Sequence, residues 1–553
     1  MSKKNQMNIF PPFVKFEVSF LYIMSKNAMC KCEKTFVFFY IYLLLFPFLY
    51  AKIVNCYGIR IKEDIKMKLK SLIGTKAFYK RIFSLCIPVM IQNGITNLVN
   101  LLDNVMVGTL GTEALSAVSI VNQFVFIFNL VIFGATSAAG IFTAQYHGSG
   151  DAEGVRSTVR FKGIVNIIVS AICIALFLIF DDQLINLFLF DGSAEGDIAL
   201  TLKLAKEYLA VAVIGFVPFG LANVYLSTLR ETGDTVRPVY ASAAAVATNC
   251  IGNAILIFGL FGAPALGVVG AAIATTLSRF VEFFILFIYS HTHTEKCYFA
   301  KGLWRTFRIP SALFGRILIK GLPLMLNEFF WSLAVTMRNQ AYATRGLDVV
   351  AAQTVAVTVH NLVSVVWMSV GFSIAFIVGN LLGAGKVEEA RDTGKKMMAL
   401  SVVVGVILGG LMAALSPVFP LMFGVTETVY SLAEFMLIVF GICTPVMAFS
   451  HASYFTLRTG GKILITVLLD AGFMWSVAVP VAYCLSRFTS LPIEPLFILS
   501  QSCEVIKCIA AFILVSKVDW ASRLVSDEPQ KTVPETSAES LPQDTVTSQV
   551  NEK

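Results

Sequence analysis

The chain repeats itself. Gly148-Ser149-Gly150-Asp151-Ala152-Glu153-Gly154-Val155-Arg156 returns as Gly383-Ala384-Gly385-Lys386-Val387-Glu388-Glu389-Ala390-Arg391, with Gly, Gly, Glu and Arg recurring at an offset of 235 residues. The same offset carries Pro88 to Pro323, Gly111 to Gly346 and Ala117 to Ala352. Solenoid units run about 20–50 residues. A repeat this long is half a protein, so the fold must be two copies of one architecture.

What each copy contains follows from its solvent. The chain is 56% hydrophobic and 14% charged, whereas a soluble domain carries roughly 25% charged residues. Apolar runs near the roughly 20 residues needed to span a bilayer as a helix recur at 82–107, 114–142, 163–180, 204–229, 238–258, 269–290, 316–342, 349–381, 398–422, 428–456, 463–486 and 495–516. The expected fold class is therefore an all-α polytopic membrane protein, with twelve transmembrane helices in two six-helix lobes. Six spans separate Pro88 from Pro323. Six is even, so both halves enter the membrane in the same direction, as parallel repeats with a substrate site between them. A duplicated channel or receptor satisfies the repeat equally well.

The net charge is +8, but its placement is more informative. With the start of the first span inside, the inner loops hold seventeen Lys and Arg residues, among them Arg156, Arg160, Lys162, Arg230 and Arg458, and the outer loops hold few, among them Arg345 and Arg487. Basic residues mark the cytoplasmic side. Both ends of the twelve-span body are expected in the cytoplasm, with the chain multi-pass in the plasma (inner) membrane. Asp181, Asp182, Asp191, Glu195 and Asp197 crowd one outer loop. The bases are scattered over membrane loops, so they are not read as a nucleic-acid surface. Cys30-Lys31-Cys32 lacks the second pair a zinc site requires, and most other cysteines lie inside spans as small apolar residues.

By this division 77–292 is the N-lobe, 293–315 an inter-lobe loop, 316–517 the C-lobe and 518–553 a disordered cytoplasmic tail, too polar to fold. Residues 1–66 stand outside the repeat and contain the apolar run Phe36–Val54. Three readings compete for them: a thirteenth span, a signal sequence, and upstream sequence translated from too early a start. Met67-Lys68-Leu69-Lys70 favours the third.

The repeated glycine segment joins spans two and three, and again spans eight and nine. Gly-x-Gly suits a helix end that needs φ > 0, and Glu153 and Arg156 stand i, i+3 for a pair on the next helix. It is not a nucleotide loop, because no strand precedes it and no Lys-Ser/Thr follows. No nucleotide or other cofactor is expected.

Several further segments fall in order along the chain. They are Ile87-Pro88 with Asp103-Asn104-Val105-Met106-Val107-Gly108, Leu229-Arg230-Glu231-Thr232-Gly233-Asp234, its partner Leu457-Arg458-Thr459-Gly460-Gly461, and Leu266-Gly267-Val268-Val269-Gly270-Ala271-Ala272-Ile273-Ala274-Thr275. With the glycine segments they resemble the multidrug and toxic compound extrusion (MATE) family over about Ala77 to Val518. The resemblance implies two six-helix lobes around a cleft. It also implies export of small organic cations in exchange for Na+ or H+ by a monomer in contact with membrane lipid. A flippase for lipid-linked saccharides on a distantly related fold is the alternative. An enzyme is not expected, since neither a clustered metal motif nor a nucleophile elbow is present.

An ionisable group inside a span costs roughly 2.5–3.5 kcal/mol on insertion scales, so each is a functional candidate. Asp103 matches the family's first-helix acid. Asn249 and Asn253 stand i, i+4 on the fifth span and Thr275 lies in the sixth, all in the outer half of the membrane. A carboxylate, two amides and a hydroxyl at one depth suit a hard cation. The resemblance places the family's N-lobe Na+ site on these four residues, with one departure: many members have Asp where this chain has Asn253. That loss implies weaker Na+ binding or a shift toward H+. Interhelical amide hydrogen bonds are the structural alternative for both asparagines. Glu328 in the seventh span and Asp470 in the eleventh are C-lobe proton or cation candidates. His360 and His451 are secondary proton candidates, or simply buried histidines satisfied by neighbours. Pro88 is a candidate hinge responding to Asp103, against a static kink. Trp331, Trp367 and Trp475 are candidate cation–π contacts.

Overall fold

The computed structural model describes residues 72–186, 198–423 and 425–525. The expectations for residues 1–66, for Asp191, Glu195 and Asp197, and for 526–553 lie outside the described residues. Twelve long helices follow in order. In the first half they are α1 Lys76–Gly108, α2 Thr112–Ser149, α3 Ala152–Ile179, α4 Ile198–Glu231, α5 Val236–Phe258 and α6 Gly267–Thr292. In the second half they are α7 Ser311–Ala343, α8 Leu347–Gly383, α9 Val387–Ala414, α10 Glu427–Thr459, α11 Ile463–Phe488 and α12 Ile493–Lys517. Among the described residues, eleven helices, α2 to α12, are long and apolar enough to cross a membrane. The chain is a multi-pass membrane protein of two six-helix lobes.

Several helices run past their apolar stretches. α3 begins at Ala152, roughly three turns before the apolar run at 163. Asp151 caps it, its Oδ1 accepting from Gly154 N at 2.9 Å, so a polar turn carrying Glu153 and Arg156 is helical without being apolar. The expected pair is present, with Arg156 Nη1 3.0 Å from Glu153 Oε2, and the second copy repeats it between Arg391 and Glu388 at 3.5 Å. Gly150 and Gly385 take φ of +77° and +76°, the left-handed turn expected of each Gly-x-Gly.

The lobes meet along α2 of the first half, which packs on α7 and α8 of the second, while α1 packs on α8. At the α2–α3 and α8–α9 end, hereafter the basic face, two helix ends cross in backbone contact. A β-carbon on Gly148 would collide with the Asn380 carbonyl, and one on Gly383 with the Gln145 carbonyl. The first glycine of each repeated segment is therefore fixed by contact with the other lobe.

The disordered tail expected from 518 onward does not hold for its first eight residues. Asp519 Oδ1 accepts from Arg391 Nη2 at 2.5 Å. Trp520 is 3% exposed and lies against Gly394 and Gly460. Leu524 N donates to Gln145 Oε1 at 2.7 Å, and the Leu524 carbonyl accepts from Arg316 at 3.5 Å. One indole buried against glycines outweighs the polar residues around it. The segment straps the basic face, touching α9 and α10 of one lobe and α2 of the other.

Candidate ion and substrate sites

The four N-lobe candidates come together. α1 brings Asp103, α5 brings Asn249 and Asn253 one turn apart, and α6 brings Thr275; Asp103, Asn249 and Thr275 line a cavity of about 410 Å³, and Asn253 is buried against Asp103. Asn253 Nδ2 donates to Asp103 Oδ1 at 2.5 Å and lies 3.4 Å from Asn249 Oδ1, and Asn249 Nδ2 donates to Thr275 Oγ1 at 3.0 Å. Asn253 is fully buried, and its Oδ1 has no hydrogen-bond partner. A buried amide oxygen left unmatched costs about 1–3 kcal/mol. It sits beside a carboxylate, so an Na+ held there would meet two amide oxygens, a hydroxyl and a carboxylate. These donors fit a hard cation.

Below this cluster, sequence reasoning missed a polar chain. Arg230 Nη2 donates to Gln92 Oε1 (2.5 Å), Gln92 Nε2 to Ser242 Oγ (2.7 Å) and Ser242 Oγ to Glu282 Oε1 (2.7 Å). Arg279 lies 3.7 Å from Glu282. Glu282 and Arg279 line the same cavity as Asp103. They are i, i+3 on α6, a spacing that could have identified them as a buried pair.

In the C-lobe, Glu328 and Asp470 are linked through Tyr454 and Asn327, Asn327 Nδ2 donating to Tyr454 OH at 3.4 Å. Tyr454 OH donates to Glu328 Oε1 at 3.1 Å, and Arg458 reaches the same oxygen at 3.5 Å. Asn327 Nδ2 donates to Asp470 Oδ2 at 3.0 Å, its Oδ1 accepts from Ala471 N at 3.2 Å, and Lys507 Nζ donates to Asp470 Oδ1 at 2.7 Å. Asp470 lies in a π-helical stretch, Leu468–Gly472. Widened turns of this kind occur frequently at functional sites. Both acids therefore face a built-in base, which was not expected: Lys507 hides within an apolar span, and Arg458 had been counted as a loop residue.

Arg230 and Arg458 belong to helix ends inside the protein, not to loops. Arg458 is 1% exposed, donates to Tyr454 OH at 3.0 Å and bonds Ser137 of the other lobe. Lys162, also counted as a loop base, is fully buried and donates to Glu231 at 2.5 Å, Ser227 at 3.1 Å and Thr228 at 3.3 Å.

The remaining candidates stand apart. His360 stacks on Phe440 with ring centroids 4.6 Å apart, and His451 sits edge-on to Trp367 at 5.3 Å. His360 Nδ1 and His451 Nε2 have no hydrogen-bond partner, and neither ring bonds an acid. α1 runs unbroken through Pro88. Trp331, Trp367 and Trp475 do not line the N-lobe cavity, and Trp475 Nε1 donates to the Phe330 carbonyl at 2.9 Å.

Comparison with known proteins bears on this geometry. The MatE family model matches residues 88–255 and 323–484, one segment in each lobe. A probable multidrug resistance protein NorM of Thermotoga maritima is 26% identical over 414 residues, 74% of this chain and 86% of that protein. Multidrug and toxin extrusion protein 1 of Xenopus tropicalis is 22% identical over 82% of this chain and 76% of its own length. A crystal structure of a point mutant of the Vibrio cholerae MATE transporter VcmN aligns with a TM-score of 0.71 at 18% identity, over 82% of this chain and 99% of that one, which shows a shared fold. With both halves of the repeat matched and the two-lobe fold shared, this chain belongs to the MatE family, the multidrug and toxic compound extrusion transporters.

Proposed function

We propose that this chain is a secondary antiporter that exports organic cations across the plasma membrane in exchange for Na+ or H+, working as a monomer with its basic face in the cytoplasm. The unpartnered Asn253 oxygen, on an amide bonded to Asp103, carries this reading, because it is a ready cation ligand one side chain behind the wall of the cavity that Asp103 lines. Exchange follows from mutual exclusion. One carboxylate facing one cavity neutralises either the coupling ion or a cationic substrate. Loading either one favours release of the other. The crossing of Gly148 and Gly383 supports reading this conformation as the one closed to the cytoplasm. The relatives' names support multidrug export as the activity.

The lipid-linked saccharide flippase gains some support from Arg230 and Arg458, which line a cavity between the lobes. That cavity also holds Glu231, and the larger N-lobe cavity sets Asp103 and Glu282 against Arg279, a lining that favours a cation over a pyrophosphate, so the antiporter reading is preferred. The test uses proteoliposomes loaded with a fluorescent organic cation, with Na+ and pH gradients imposed separately on wild type and Asp103→Asn. Gradient-driven efflux that Asp103→Asn abolishes is the expected result. Efflux indifferent to both gradients removes the antiport, and efflux unchanged in Asp103→Asn removes the ion site.

A further inference from the structure

Besides the N-lobe cavity, a second cavity lies between the lobes toward the basic face, and its chemistry is the reverse. Its volume is about 120 Å³, near the size of an apolar cavity of about 150 Å³ that accepts benzene. Phe133 of α2, Phe372 of α8 and Phe455 of α10 wall it, with Phe372 lying 5.9 Å from Phe133 and 5.1 Å from Phe455 in edge contacts. Arg230 and Arg458 enter from opposite lobes. They are the arginines of the Leu-Arg segments at 229–230 and 457–458.

The charges around this cavity do not balance. Glu231 also lines it, but Lys162 holds that carboxylate at 2.5 Å. Arg458 has Glu328 at 3.5 Å as its counter-ion. Arg230 makes no ion pair among the described residues. Its Nη2 bonds a neutral amide, Gln92, and its Nε is buried with no partner. Glu282, the acid at the far end of the Gln92–Ser242 chain, is engaged by Ser242 at 2.7 Å and Arg279 at 3.7 Å. Arg230 is half-buried with its Nε fully so, and a guanidinium in that setting gains from a paired anion. An incoming anion would pair it, and a carboxylate matches the guanidinium fork in two-point contact.

The geometry points to an anion-recognising subsite at Arg230 in the interlobe cavity, which takes the carboxylate of a small aromatic acid with its ring among Phe133, Phe372 and Phe455.

The experiment measures binding to the purified full-length protein in lipid nanodiscs. The probes are salicylate, a fluorescent single-ring acid matched to the cavity, and N-methylquinolinium, a fluorescent aromatic cation. Salicylate is expected to bind wild type, and Arg230→Gln to weaken it by about tenfold or more while Arg230→Lys restores part of the loss. Asp103→Asn should leave salicylate affinity unchanged. Because Arg230→Gln can disturb folding, Ala375→Phe provides a second variant. Ala375 lines the cavity, and the larger ring fills it with every charge in place, so salicylate binding should be lost there too. No salicylate binding to wild type, or unchanged affinity in both Arg230→Gln and Ala375→Phe, overturns the subsite. Failure of N-methylquinolinium to bind wild type counts against the cation-export reading and leaves the subsite standing.

Discussion

Converting Asn253 to aspartate tests whether the N-lobe cluster is an ion site or a set of structural amide bonds. In the native protein Asn253 Nδ2 donates to Asp103 Oδ1 at 2.5 Å, so its amide neutralises part of the field of the carboxylate. Asn253→Asp replaces that donor with a second carboxylate. Two unit charges about 4 Å apart repel by about 4 kcal/mol at an effective dielectric constant of 20. A sodium ion between them reverses the sign of that interaction. The full Coulomb figure corresponds to about a thousandfold in affinity, since about 1.4 kcal/mol is tenfold. Part of it is lost because two adjacent carboxylates tend to retain a proton when no cation is present. A gain of about ten- to a hundredfold in Na+ affinity is the expected outcome. Radioactive sodium binding to the purified protein measures it directly, and Na+-driven efflux in proteoliposomes should rise relative to pH-driven efflux. Unchanged or weaker Na+ binding, in a variant that still runs as a single species on gel filtration, would refute the claim that Asn253 faces the ion.

Other perturbations give equally definite outcomes. Lys162→Met leaves Glu231 buried without its base and should cost about 3–5 kcal/mol. Lys162→Met with Glu231→Leu should recover most of that loss in thermal unfolding, and a single variant as stable as wild type contradicts the pair's role. Gly383→Val pushes a branched side chain into the Gln145 carbonyl and should prop the basic face open. A cysteine at Ala144, in a background without native cysteines, would then react faster with an impermeant maleimide added from that face, and equal rates refute the crossing. Trp520→Ala removes the buried indole of the strap, a change typically worth about 3–5 kcal/mol. Limited trypsin digestion should cleave at Lys517 or Arg523 much sooner than in wild type, and unchanged cleavage means the indole does not hold the strap.

Most of the fold was legible because the bilayer imposes one answer on an apolar run. The twelve spans, the equal halves and the left-handed glycines at 150 and 385 follow from periodicity and backbone sterics. For Asp103, Asn249, Asn253 and Thr275, counted depth gave a common level in the membrane, and the family resemblance supplied their grouping. Depth does not give azimuth, however, and there the reading failed. Arg230, Arg458 and Lys162 stand near span ends, where a base ordinarily faces water, and nothing local distinguishes a base turned inward. Lys507 and Glu504 occupy an otherwise apolar span, but their partners Asp470 and Arg338 come from other helices. Long-range pairing of this kind leaves no mark on either segment alone. The strap was missed because a single tryptophan outweighs a polar composition only where a fitted surface awaits it.

The strap also has a bearing on the order of assembly. Gln145 finds its partners at Ser522 and Leu524, more than three hundred residues further along the chain. During synthesis the first lobe can insert and pack while Gln145 still has no strap to bond. The packing of Gly148 on Asn380 and of Gly383 on Gln145 becomes available only after α8 has emerged, and the strap only after the ribosome has passed α12. Among the described residues the junction between the lobes is therefore the last region to mature, and a chain cut short after α12 would carry all twelve of the helices described above yet leave the seam at its basic face unsealed.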